Sequence, residues 1–272
     1  MKKYFYSCLV AVVFVVACSS RSIEIDPNII LIKDSNLEKA LIAQKIDTDS
    51  TINGQIKRSD AEDVKVLSIP NLQIKSLDGI EGFKSLTYLD CSLNQITNLE
   101  LSQNSFLESL DCSSNLLTNI DLSRNLNLAT FNCVNNKFKD LTIFSKQLYA
   151  LNASNNLLVT VTVDAATRLS LLYLSNNQLK NLDLANNSAL LELRCNSNKL
   201  TTIDLSKNVK LRYLDLSNNT LAALDLCSNT EIMKLICSSN NIAKITIPKK
   251  IQSIFTNNIV LIDSKTSYST CD

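Results

Sequence analysis

Apolar and polar positions along this chain repeat in register. From Leu86 onward, similar segments begin at Leu107, Leu128, Leu148, Leu169, Leu190, Leu211 and Ile232, in steps of 21 residues with a single step of 20 before Leu148. The copy at Leu190 is the clearest. Its apolar positions are Leu190, Leu193, Cys195, Leu200, Ile203 and Leu205, punctuated by Asn198 and Asn208. The alternation Leu193, Arg194, Cys195 has the period of a strand and puts Leu193 and Cys195 on one face. A fixed period of this length predicts a solenoid whose turns stack strand on strand. Val64, Leu67 and Ile69 form a degenerate first copy, and Ile251, Ile254 and Thr256 begin a shortened last one.

Two asparagine columns run through the array. The first, Asn94, Asn115, Asn136, Asn156, Asn177, Asn198, Asn219 and Asn240, has no gap. An asparagine side chain both donates and accepts, so it can serve backbone groups where the chain turns inward. The second column, Asn104, Asn125, Asn187, Asn208 and Asn229, fails at Lys146 and Ala166, which predicts a looser turn over 144–168. Ahead of the array, 34–63 reads as a cap. There Ser35 is placed to start a short helix carrying Leu37, Ala40, Leu41 and Ile42 on one side. At the far end, Ile259, Val260, Leu261 and Ile262 read as the closing edge before a polar tail, 263–272.

Each copy follows L-x-x-L-x-C/L-x-x-N-x-L-x-x-L-D-L-S-x-N. Eight such copies in register resemble the leucine-rich repeat family, in its bacterial variety of nested half-repeats. The resemblance implies a leucine-rich-repeat solenoid over 64–262. It would be a curved right-handed coil with parallel β strands on one face, short extended or irregular segments on the other, and a small helical N-terminal cap.

The first residues read as an address. Lys2 and Lys3 precede an apolar run from Leu9 to Val16, too short to span a bilayer comfortably, so 1–17 is expected to be a signal peptide. Val15, Val16, Ala17 and Cys18 resemble the lipobox of bacterial lipoproteins. That resemblance implies that Cys18 becomes the lipidated N-terminus, with 18–33 as a tether to the bilayer.

Composition narrows the chemistry. The 272-residue chain has no His and no Trp, only three Gly, and 27 Lys+Arg against 26 Asp+Glu. Without His there is no Ser-His or Cys-His nucleophile pair, and the commonest zinc ligand is missing. The balanced charge argues against nucleic acid as a partner. Five cysteines, Cys91, Cys112, Cys133, Cys195 and Cys237, share an inward position that elsewhere holds Ala153, Leu174 and Leu216, so they read as core. Cys227 and Cys271 remain, and spacing leaves open whether they are bridged. The segment from Asp47 to Asp60 has the flavour of a calcium loop. Two extra residues precede Asn53-Gly54, however, and it reads as a polar turn. The acidic column Glu100, Asp121, Asp183, Asp204 and Asp225 reads as solvated. Neither a catalytic residue nor a metal or cofactor site is expected.

What remains is the outward face of the strands. Early copies show Ser92, Ser109, Ser113, Thr130, Asn132 and Asn152; later copies show Leu171, Tyr173, Glu192, Arg194, Tyr213, Asp215, Lys234 and Ile236. Tyr and Arg dominate binding energy where they cluster, so Tyr173, Glu192, Arg194, Tyr213, Asp215 and Lys234 are the expected ligand-binding residues. The plain alternative is a cross-strand lattice in which Arg194 pairs with Asp215. The expected function is an exported, membrane-anchored lipoprotein, on the outer membrane or cell surface, binding a protein or a surface glycan. A structural envelope or self-associating scaffold protein is the alternative.

Overall fold

Each turn of the coil opens with a three-residue strand whose middle side chain is buried. Leu67, Leu89, Leu110, Phe131, Leu151, Leu172, Leu193, Leu214 and Leu235 fill this position in turn. The computed structural model describes residues 26–253 and 260–271. The stretch 1–17 read as a signal peptide, Cys18, Ile254, Thr256 and Ile259 lie outside the described residues. Within them, ten strands from Val66–Ser68 to Val260–Leu261 form one parallel sheet. Leu89 sits beside Leu110, Leu110 beside Phe131 and Leu172 beside Leu193, so equivalent positions of successive copies line up. The fold is a leucine-rich-repeat solenoid.

After each strand the chain turns inward through a residue in the left-handed region, at Leu93, Ser114, Asn135, Asn155, Asn176, Ser197, Asn218 and Ser239, with φ between 54° and 58°. The next residue is always the asparagine of the first column. Asn177 is typical. Its Oδ1 accepts from the Leu158 N–H at 3.0 Å, and its Nδ2 donates to the carbonyls of Ala153 at 3.0 Å and Leu174 at 3.1 Å. Asn115, Asn136, Asn156, Asn198, Asn219 and Asn240 bridge to the preceding turn in the same way. The column is a ladder that satisfies backbone groups which burial removes from water.

The second column is also buried, but it uses only its donors. Asn125 Nδ2 reaches the carbonyls of Leu101 at 3.1 Å and Asn104 at 2.9 Å, while Oδ1 of Asn104, Asn125, Asn187, Asn208 and Asn229 has no hydrogen-bond partner. Sequence spacing put Lys146 in this column, and the structure corrects it. The one-residue-shorter copy places Ser145 there instead, 2% exposed, its hydroxyl donating to the Leu126 carbonyl at 2.8 Å, and leaves Lys146 in solvent. The region is not looser either. Asp140–Thr142 and Thr160–Thr162 pair as parallel strands on the opposite track, where β-branched Thr142, Val161 and Thr162 favour extended backbone.

The cap differs from expectation at its start. Asp34, not Ser35, caps the helix Ser35–Ala43, its Oδ1 accepting from the N–H groups of Asn36 and Leu37. Its Oδ2 accepts from Lys75 at 2.6 Å and Ser76 at 3.2 Å, which ties the helix to the first turn. A carboxylate can serve four N–H groups at once, which a hydroxyl cannot. The stretch read as tether contains a strand, Ile29–Leu31, pairing antiparallel with Gln55–Lys57. Gly79 sits under that strand with φ +107°, and a Cβ there would lie 2.7 Å from the Leu31 carbonyl oxygen.

At the other end, Val260–Leu261 pairs beside Lys234–Ile236 as the last strand of the main sheet. The segment read as a polar tail holds Ser267–Cys271, a strand lying against Lys244–Pro248. Cys227 and Cys271 are bridged, with Cα atoms 6.0 Å apart, so this strand is fastened to the chain two turns before it.

Candidate binding face

The parallel register sorts the outward side chains into two rows. Asp90, Asp111, Asn132, Asn152, Tyr173, Arg194, Asp215 and Ile236 stand side by side in one. Tyr88, Ser109, Thr130, Ala150, Leu171, Glu192, Tyr213 and Lys234 form the other.

In the early copies the rows bond among themselves. The Thr130 hydroxyl donates to the Ser109 hydroxyl at 2.7 Å, and Asn132 Nδ2 donates to Asp111 Oδ2 at 2.8 Å. Ser92 and Ser113 donate to the carboxylates two residues before them. In the later copies rings and cations alternate. The Arg194 guanidinium lies 5.2 Å from the centre of the Tyr173 ring and 4.8 Å from that of Tyr213, and Lys234 Nζ lies 5.2 Å from the centre of the Tyr213 ring. Each such contact contributes about 0.5–1 kcal/mol at an exposed site.

The lattice expected between Arg194 and Asp215 is not what forms. Arg194 Nε pairs with Glu192 Oε1 at 2.6 Å, two residues back on its own strand. Asp215 instead accepts from the Ser217 N–H at 3.0 Å and hydroxyl at 2.7 Å. A carboxylate that closes its own turn is already satisfied, which leaves Glu192 to orient the guanidinium. Partial burial works against the Arg194 charge, but the hydrogen bond and charge of Glu192 outweigh it, so the group is held more firmly protonated than usual. Burial first, and then Glu192, push the Tyr173 phenol above its ordinary range, so it stays a neutral donor.

A feature the sequence reading passed over adjoins this cluster. Between Tyr88 and Tyr173 the face dips into a depression of about 210 Å³, floored by the small side chains Ser109, Thr130 and Ala150 and edged by Asp111, Asn132 and Asn152. The signal was present as a run of small residues at one offset between two tyrosines. On the opposite track a depression of about 260 Å³ lies between Asp183 and Asp204. Their carboxylates are engaged by the N–H groups of Ala185 and Ser206 at 2.9 and 2.8 Å.

Inside the coil, Cys91, Cys112 and Cys133 stack on consecutive turns, with Cys195 and Cys237 further on. All five are buried free thiols. Burial above all pushes them up, Cys195 and Cys237 to about 12.

The rows, the ladder and the stacked thiols are those of a leucine-rich-repeat solenoid, and comparison with solved structures agrees. The functional domain of InlJ from Listeria monocytogenes, described as including a cysteine ladder, is 25% identical with a TM-score of 0.60 over 88% of this chain. The chain spans 60% of that domain's length. Internalin C2 from Listeria monocytogenes is 21% identical with a TM-score of 0.58, covering 89% of this chain and 95% of its own. YopM, a leucine-rich effector protein from Yersinia pestis, is 26% identical with a TM-score of 0.53 over 60% of this chain and 52% of its own. Neither a protein-family profile nor a curated protein matches the chain.

Proposed function

We propose that this protein is an exported lipoprotein, anchored through Cys18, that binds a protein partner on its sheet face around Tyr173, Glu192, Arg194, Tyr213, Asp215 and Lys234. The observation that carries the reading is the alternation of ring and cation from Tyr173 to Lys234 on a face that is otherwise small and polar. Two half-buried rings held against a guanidinium form a pre-ordered surface, and little side-chain entropy remains to be lost on binding. Charge steers a partner toward such a patch and the rings anchor it.

Export has separate support. The Cys227–Cys271 bridge is the kind of bond that persists in an oxidising compartment. Among the described residues no helix is long and apolar enough to cross a membrane. Anchoring then falls to the acyl chains on Cys18, since more than one chain gives stable attachment. Changing Cys18→Ala should abolish incorporation of labelled fatty acid; persistence of the label in that variant would rule the anchor out.

The binding reading is tested with the chain from Ser19 onward, immobilised and offered envelope and host-surface proteins. A saturable protein partner is expected. The double change Tyr173→Ala with Tyr213→Ala should weaken it by about 100-fold or more, at 2 kcal/mol or so for each anchor, with little change in melting temperature. Competition by a soluble glycan would move the reading to a carbohydrate ligand, and self-association alone would favour a scaffold role. An affinity that survives the tyrosine pair but falls with Ser109→Ala and Ser113→Ala would move the footprint to the early copies.

A further inference from the structure

The outward position that opens each strand of the main sheet takes side chains of any size. It holds Tyr88, Leu171 and Tyr213 as readily as Ser109, Thr130 and Ala150. Packing therefore does not force the three small ones, which together leave the depression of about 210 Å³ beside Tyr88 and Tyr173. The strands of those two rings are four spacings apart, about 19 Å at about 4.8 Å each, so the depression is a trough running across the strands.

The polar edge of the trough also carries more than the fold requires. Asp90 and Asp111 close their own turns, each accepting from the N–H two residues on, at 3.0 and 2.9 Å. Asn132 and Asn152 do the same with Oδ1, from Val134 at 3.3 Å and Ser154 at 3.2 Å. Their amide nitrogens are surplus to the turn. One N–H of Asn132 goes to Asp111, but its second, and both of Asn152, donate to nothing among the described residues. The Ser109 hydroxyl accepts from Thr130 and likewise donates to nothing. These side chains are all half-buried.

The unspent groups select the ligand. Asp111 already takes the Ser113 N–H and hydroxyl on one oxygen and Asn132 on the other. A carboxylate accepts about four such bonds, which leaves one. A cation would find little to hold it, and an anion would meet Asp90 and Asp111 side by side. A peptide laid across the strands could add no ladder, because their backbone groups are already paired within the sheet. The ligand that fits is neutral, rich in oxygen and able both to donate and to accept, as a sugar ring is. Its oxygens take the free N–H and O–H groups, one hydroxyl returns a proton to Asp111, and its C–H face suits a tyrosine ring. The volume is below the ~300 Å³ at which drug-sized pockets begin, which suits a single ring.

We propose that this trough is a carbohydrate subsite that takes a neutral pyranose ring, held by Ser109, Asn132 and Asn152 and flanked by Tyr88 and Tyr173. Only Tyr173 is shared with the ring-and-cation patch, so sugar binding here is independent of a protein bound there.

The test uses the full chain in a sugar-free detergent and saturation-transfer difference NMR, which reads the weak contacts of a site open to solvent. The probes are the methyl glycosides of glucose, galactose, mannose and N-acetylglucosamine, with no protein partner present. At least one should give a saturable, millimolar response at its ring protons. The uronic acid form of the same sugar should bind several-fold more weakly, with the gap closing at high salt. Asn152→Ala should weaken the response by about fivefold. Ala150→Leu fills the trough and should abolish it, and Leu171 shows that this row accepts leucine. Neither variant should melt lower than the parent. Acetylarginine amide, standing for a basic peptide side chain, should give no saturable response. The proposal is overturned if no neutral glycoside binds, if binding survives Ala150→Leu, or if acetylarginine amide binds in place of the sugars.

Discussion

Raising the pH through 9 and toward 10 should unfold this protein, and its stacked thiols should be the cause. Cys91, Cys112, Cys133, Cys195 and Cys237 are buried and free, and burial raises all of them far above an unfolded thiol, to about 12 for Cys195 and Cys237. In the unfolded chain the same groups titrate near 8.5. A folded value above the unfolded one means that stability is fully present below about pH 8.5 and is lost as pH rises toward the folded values. One unit above that point the unfolded chain has released nearly five protons that the folded chain keeps. The slope is then roughly 6 kcal/mol per pH unit, against a total of about 5–15 for an ordinary protein. Denaturant melts between pH 7 and 10 measure it directly, and a thiol reagent should stay silent until the transition. Cys112→Ala should lower the slope by about a fifth, and Ala153 shows that the column accepts alanine. Stability that stays flat from pH 8 to 10 would mean that these thiols ionise in place.

Most of the fold was legible because a solenoid writes its geometry once per turn. Leu193 and Cys195 could be placed inward from one copy and checked against seven others, and the strand register followed without further information. Errors arose where the repeat is interrupted. Lys146 was put in the second asparagine column because a single deletion before Leu148 can be placed on either side of Ser145. Only packing decides, and it buries the small hydroxyl and leaves the long ammonium in solvent. The same reasoning explains why serine can stand in that column at 145. The asparagines there use only their donors, so a hydroxyl suffices, whereas the first column uses donor and acceptor together.

The ends and the face were less legible. A capping residue is chosen by what its second oxygen can reach, and Lys75 and Ser76 lie some forty residues from Asp34 in sequence. Whether Cys227 meets Cys271 depends on how the last strand folds back. On the sheet face the register placed Tyr173, Arg194, Tyr213 and Lys234 together, but the partner of Arg194 is a matter of rotamer. Glu192 takes it because Asp215 is committed to its own turn. The depression beside Tyr173 comes from side chains that are small, and scanning for large or charged residues overlooks it.

Asn177→Leu should cost about 1–3 kcal/mol, several times the effect of an ordinary surface change. Leucine matches asparagine in shape, so the loss is one of hydrogen bonds and leaves no hole. The Leu158 N–H loses its partner at 3.0 Å, and the carbonyls of Ala153 and Leu174 lose the Nδ2 donor at 3.0 and 3.1 Å. Each buried group left unsatisfied costs about 1–3 kcal/mol. Asn156 still reaches the Ala153 carbonyl at 3.2 Å and Asn198 the Leu174 carbonyl at 2.9 Å, so the Leu158 N–H is the group left without a partner. Because the bonds run from one turn to the one before it, hydrogen exchange should show protection falling at Leu158 in the preceding turn as well as at Asn177. Asn186→Leu, at an exposed position one residue before the second column, is the control and should move stability by less than about 0.5 kcal/mol. Equal melting of the two variants would show that the first column does not hold the turns together. A deep loss confined to Asn177→Leu would show that the stack depends on side chains which both give and accept a hydrogen bond at every turn.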